Sequence, residues 1–191
     1  MTEQEWVKSI IPGIENLLNK TNDNIRVVNG HKLSYAFEVL TYDNENQPGK
    51  QNSMGFETDI LILEQIDPAT WKPRVVIETK LGSVTTHDAI TYSQKAQTHK
   101  YIHPYLRYGI LIGNREHYPL PGRLFRHGQH FDFMLSWKSV QADQKEISRL
   151  VGIVNDEIKA SRNLEKILFN THSKDRDKFT SLHRPLILDN D

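Results

Sequence analysis

The chain has 191 residues, balances 24 Lys plus Arg against 24 Asp plus Glu, and holds no cysteine. Zero formal net charge removes the global basic field typical of nucleic-acid binders, so any such role needs a local basic face. The lack of cysteine excludes disulfides and thiolate metal sites and suits a reducing compartment, and no apolar run approaches membrane-spanning length. The expectation is one soluble cytoplasmic domain over residues 1–191, with no membrane contact.

In chain order, Trp6, Ile10, Ile14 and Leu17 fall at helical spacing and predict a helix from about Glu3 to Lys20, broken in two by Pro12 and Gly13. "LSYAFEVLTYD", Leu33 to Asp43, alternates like a strand, and the polar "NENQPGKQNSMG" after it reads as a loop. "TDILILEQ" and "RVVIETK" are two apolar strands joined through "DPATWKP". A helix follows from Thr85, with Asp88 completing its cap, and stops before Pro104. "RYGILIGN" and "HFDFMLSW" read as two more strands. From Glu146 to about Asn170, Ile147, Leu150, Val154, Ile158, Leu164 and Leu168 form one stripe of a long amphipathic helix, able to cover a sheet or a second subunit.

Three successive strands suggest an antiparallel meander, and the helix before "RYGILIGN" is long enough for a right-handed crossover between parallel neighbours. The fold expected is α/β: a three-layer α/β/α sandwich around a mixed sheet, with its core over residues 33–140.

Within "RVVIETKLG", Glu78 and Lys80 interrupt a buried strand and project from the same face, while Thr79 points away. Asp59 opens the neighbouring strand, so a hairpin between the two brings it beside Glu78. Two adjacent carboxylates repel unless protonated or bridged, and a hard divalent ion on oxygen ligands resolves that conflict. Mg²⁺ keeps waters for substrate oxygens, and a nearby Lys can orient water and offset charge growing on a phosphate. This is an arrangement for metal-assisted phosphodiester hydrolysis. Acid-x-Lys also occurs at Asp143 to Lys145 and Glu157 to Lys159, but only the first tripeptide ends an apolar strand preceded by an Asp-led strand.

"TDILILE" followed by "VVIETK" resembles the signature of the PD-(D/E)xK nuclease superfamily, the restriction-endonuclease-like fold, over roughly Leu33 to Asn114. Thr58 stands where the family's proline precedes the aspartate. The resemblance implies Asp59 and Glu78 as Mg²⁺ ligands with Mn²⁺ as a substitute, the Thr79 carbonyl as a further ligand, and Lys80 as the catalytic lysine. It also implies an additional acid from the first helix or first strand, for which Glu15 and Glu38 are candidates. Gln97 and Tyr101 in "QTHKY" are similar to the Gln-x-x-x-Tyr motif of one branch, and Gln94 shares their helical face. The activity so implied is that of a DNA endonuclease, type II restriction-like and homodimeric. A structure-selective repair or recombination nuclease and a non-catalytic nucleic-acid-binding module are the alternatives. The segment from Asn114 to His130 carries Arg115, Arg123, Arg126 and three histidines with Glu116 as its one acid, and is the first place to seek DNA contacts. His87, His99 and His103 lack a zinc-binding His-Glu-x-x-His pattern.

Overall fold

The computed structural model describes residues 1–115, 119–170, 174, 180–182 and 186–187. Helix α1 (Glu3–Asn19) precedes five strands: β1 (Ile25–Val28), β2 (His31–Val39), β3 (Gln51–Thr58), β4 (Ile60–Gln65) and β5 (Trp71–Leu81). Then come α2 (Thr86–Ile102), β6 (Arg107–Gly113), a short α3 (Gly122–His127), β7 (Phe133–Ser136) and α4 (Gln144–Glu165), which runs into a π-helical turn at Lys166–Asn170. Among the described residues, no helix is long and apolar enough to cross a membrane.

The main sheet has the order β1-β4-β5-β6-β7, antiparallel through β1, β4 and β5 and parallel through β5, β6 and β7. Strand alternation divides its residues between two faces. Ile60, Ile62, Val75 and Ile77 pack with Trp6, Ile14 and Leu18 of α1 and with Leu150, Val154 and Ile158 of α4. Leu61, Leu63, Val76, Ile110 and Ile112 pack with Ala89 and Ala96 of α2 and Leu124 of α3. Helices therefore cover both faces of a mixed sheet. The crossover through α2 joins parallel neighbours, as expected, and the Thr85–Asp88 capping box starts that helix.

The meander differs from expectation. β2 does not join the main sheet; it pairs with β3 as a separate two-stranded ribbon. The four-residue β1 takes the place beside β4 through Ile25↔Glu64 to Val28↔Leu61, which leaves residues 31–58 to pair with themselves. Part of the stretch read as loop, Gln51–Gly55, is strand β3. The outer half of this ribbon is exposed, with Phe37, Leu40 and Tyr42 in solvent.

Nor is the first helix broken. α1 runs through Pro12, because Pro12 and Gly13 lie on the exposed side while Trp6, Val7, Ile14 and Leu18 hold the other side on the sheet. The missing hydrogen bond is thus carried as a local cost. Pro12→Ala is expected to raise stability by about 2 kcal/mol, the helix-interior penalty less the entropy proline removes from the unfolded chain, measured by urea denaturation.

The apolar stripe of α4 is spent on the sheet: Leu150, Val154 and Ile158 are buried there, while Leu168 is exposed. A homodimer built on that stripe would have to uncover the core, so the stripe itself is not a free dimer surface.

At the start of α1, Trp6 stands edge-on to Trp137 at 5.8 Å and donates from Nε1 to the Val140 carbonyl at 2.8 Å. A Cβ on Gly113 would sit 2.3 Å from the Trp6 ring, so only glycine lets the end of β6 approach α1 this closely. This contact fixes the first turn of α1 against the ends of β5 and β6.

Candidate active site

The antiparallel register Ile60↔Ile77 places Asp59, one residue before β4, beside Glu78 on β5. Asp59 Oδ2 accepts from the Thr79 N–H at 2.7 Å and from the Thr79 hydroxyl at 3.1 Å. Glu78 and Lys80 both turn toward α2, as alternation requires. Glu78 is 1% exposed; its Oε1 accepts from the Tyr108 hydroxyl at 2.6 Å, and Lys95 Nζ of α2 lies 2.8 Å from Oε1 and 3.0 Å from Oε2. Lys80 Nζ lies 3.7 Å from Asp88 and 3.9 Å from Glu3, over the Tyr92 ring.

The electrostatics follow from burial and crowding. Burial, then the charge of Asp59, raises the Glu78 pKa against the opposing pull of Lys95 and Tyr108. Burial likewise raises that of Glu3, helped by Asp59 and Asp88 and opposed by Lys80. Burial works against the Lys80 ammonium, but the Tyr92 hydroxyl, Glu3 and Asp88 outweigh it and raise its pKa. These partners favour Lys80 as the ammonium.

Sequence reasoning and structure agree on bringing Asp59, Glu78, Thr79 and Lys80 together. They differ on the further acid. Glu15 caps the Val27 N–H of β1 at 3.0 Å, and Glu38 accepts from Asn52 on the exposed ribbon at 3.1 Å. The α1 acid at the site is Glu3, which accepts from the Leu81 N–H at 3.3 Å, twelve residues and so about 18 Å along the helix from Glu15. Glu3 also belongs to the first-turn acids that favour a helix N-terminus, which hid it. Lys95, Tyr92 and Tyr108 were missed as well. For Tyr92 and Lys95 the signal was the inward side of α2, which buries Ala89, Ser93, Ala96 and His99 in place of a large apolar stripe; Tyr108 sits within the apolar run of β6 and carried no such signal.

The substrate-contact candidates lie outward. Gln94 and Gln97 bond each other at 3.1 Å on the exposed side of α2, and Tyr101 is exposed. Arg123 and Arg126 are exposed on α3. Arg115 donates to the Pro119 carbonyl at 2.9 Å. Glu116 and His117 lie outside the described residues.

Four carboxylates (Glu3, Asp59, Glu78 and Asp88) face two ammoniums (Lys80 and Lys95), an excess of two negative charges that suits a divalent cation. Beside them, a cavity of about 200 Å³ is lined by Glu3, Lys8, Asn29, Glu57, Asp59 and Thr79. Among the described residues, however, no group of three or more His, Asp or Glu is arranged to hold an ion. The reason is visible: Thr79 holds Asp59 and Lys95 holds Glu78. The donors fit a hard divalent ion in chemistry and charge, and Glu78 would have to exchange its Lys95 contact to bind one.

Behind Glu78, Tyr108 meets His99, which is fully buried with Nε2 3.1 Å from the Leu33 carbonyl and Nδ1 3.3 Å from the Tyr108 hydroxyl. With Nε2–H donating to Leu33, Nδ1 is an acceptor that competes with Glu78 for the single tyrosine proton, and the shorter bond goes to Glu78. Burial lowers the His99 pKa to about 4, with Lys95 and His103 adding to it and the Leu33 bond opposing. The unfolded chain thus binds a proton here that the folded chain refuses. This contribution to stability is complete above about pH 6.5 and is lost as the pH falls toward about 4. His99→Gln is expected to flatten the loss of stability over that window, measured by denaturation at a series of pH values.

No family model matches the chain, and no curated protein matches it.

Proposed function

We propose that the chain is a divalent-metal-dependent DNA endonuclease of the PD-(D/E)xK superfamily, with the restriction-endonuclease-like fold and a type II restriction-like activity. The observation that carries this reading is the meeting of Asp59, Glu78 and Lys80 at one end of the β4–β5 pair, with Glu3 of α1 as the additional acid. The antiparallel β4–β5 pair, the crossover through α2 to a parallel β6, and helices on both sheet faces support the fold assignment.

Asp59, Glu78 and the Thr79 carbonyl would hold Mg²⁺, or Mn²⁺ in its place, and the bound ion would polarise a phosphate oxygen and acidify its water. Lys80, held protonated beside Tyr92, offsets the charge that grows on the phosphate in the transition state. Glu3 and Asp88 keep that ammonium at the strand end. Arg123 and Arg126, exposed on α3, would neutralise backbone phosphates, and Gln94, Gln97 and Tyr101 on α2 would hydrogen-bond along a strand. Two copies of such a site would cut both strands of a duplex, so a homodimer is proposed, with the cytoplasm as its compartment.

The half-buried Gln97 and the exposed Tyr101, four residues apart on α2, favour a second reading, a structure-selective repair or recombination nuclease. A substrate panel separates the two: duplexes of varied sequence, single strands and branched DNA, each with Mg²⁺ or EDTA. Discrete duplex fragments support the restriction-like reading, and cutting confined to single strands or branch points supports the repair reading. DNA that is bound but never cut leaves only a binding module.

A further inference from the structure

We propose that Lys95 is a built-in counter-cation that holds the Glu78 carboxylate until a divalent ion displaces it, an inference that rests on the metal-dependent reading above. The ammonium is lodged among three oxygens: both Glu78 carboxylate oxygens, at 2.8 and 3.0 Å, and the Glu57 main-chain carbonyl at 3.3 Å. Carboxylate and carbonyl oxygens meeting at one point are the donor set of a hard cation, here filled by a side chain.

Lys80, the lysine of the sequence motif, does not play this part. Its ion pairs go to Glu3 and Asp88, both longer than 3.5 Å, and none goes to Glu78. Lys95 is also sheltered, with Nζ over the Phe56 and Tyr92 rings at 5.9 and 5.5 Å. A carboxylate as buried as Glu78, with Asp59 beside it, is strongly unfavourable without a cation. Lys95 therefore keeps the strand end folded when no metal is bound, and a metal competes with it for the same lone pairs. The consequence is an affinity set below what Asp59 and Glu78 would confer unopposed. Lys95 is in this sense a positioning residue. Its four-carbon stem lets the ammonium withdraw from the carboxylate while keeping contact with the aromatic rings.

The test is Mn²⁺ binding to the full chain, followed by the electron paramagnetic resonance of free Mn²⁺, in wild type, Lys95→Met, Lys95→Arg and Asp59→Asn. Lys95→Met is expected to bind about tenfold tighter or more, because the competing charge is gone, while Lys95→Arg binds no tighter than wild type. Lys95→Gln, whose amide still donates to Glu78, carries the same expectation if the methionine variant does not fold. Unchanged or weaker binding in Lys95→Met, alongside wild-type binding that Asp59→Asn abolishes, overturns the counter-cation and leaves the metal reading standing. Absence of Mn²⁺ binding in every protein overturns both.

Discussion

Glu78→Gln is expected to lower Mg²⁺-dependent DNA cleavage by about 10³-fold or more while the chain stays folded. The amide keeps the volume of a side chain that is almost wholly buried and can still accept from Tyr108. What it lacks is the negative charge, on which both the Lys95 contact and any metal ion depend. Its amide nitrogen cannot accept from Lys95, which retains the Glu57 carbonyl, so a stability cost of about 1–3 kcal/mol accompanies the change. Circular dichroism and cleavage rates on the same preparation separate the two effects. A variant that folds and still cuts at wild-type rate removes Glu78 from the chemistry.

The largest loss of stability is expected at the other end of the same strands. Glu64 accepts from Arg74 at 2.6 Å, from Arg162 at 2.7 and 3.1 Å and from Asn24 at 3.1 Å. Burial alone would raise its pKa, but Arg162, Arg74 and Asn24 outweigh it and lower it. Arg74 is 3% exposed, with Glu165 at 2.7 Å as its other acid. Glu64→Ala leaves Arg74 and Arg162 short of their shared carboxylate and is expected to cost about 3–5 kcal/mol, read from the urea midpoint. Lys72→Ala, which removes a more exposed partner of Glu165, is expected to cost under about 1 kcal/mol. Glu64 is five residues from Asp59, about 17 Å along the strand, so whatever Glu64→Ala protein remains folded keeps its site.

These two carboxylates also show which features were legible in the sequence. "ILILE" and "VVIETK" lie in central strands covered on both faces, so their apolar runs read plainly and the charged residues at their ends stood out. Register then placed Asp59 beside Glu78 without further information. β1 was not legible, because four residues between polar neighbours carry too little pattern, and its omission displaced β2 into the wrong sheet. The β2–β3 ribbon hides for a related reason: its outer half is exposed, so no apolar alternation marks Gln51–Gly55 as strand.

Pro12 misled because a proline's effect depends on which side of the helix it faces, and the side is set by Trp6, Ile14 and Leu18 meeting the sheet. Glu3 and Lys95 were hidden by tertiary placement. An acid in a first helical turn and a lysine on a helix are ordinary surface features until α1 and α2 converge on the end of β5.

The most direct measurement is the conversion of supercoiled plasmid by the purified chain with Mg²⁺, with Mn²⁺ and with EDTA, in wild type beside Asp59→Asn and Lys80→Ala. Cleavage with either metal, its absence in EDTA and its loss in both variants is the predicted result. Cleavage that survives either substitution, or a wild-type chain that binds DNA and leaves it intact with both metals, contradicts the assignment of chemistry to this strand end.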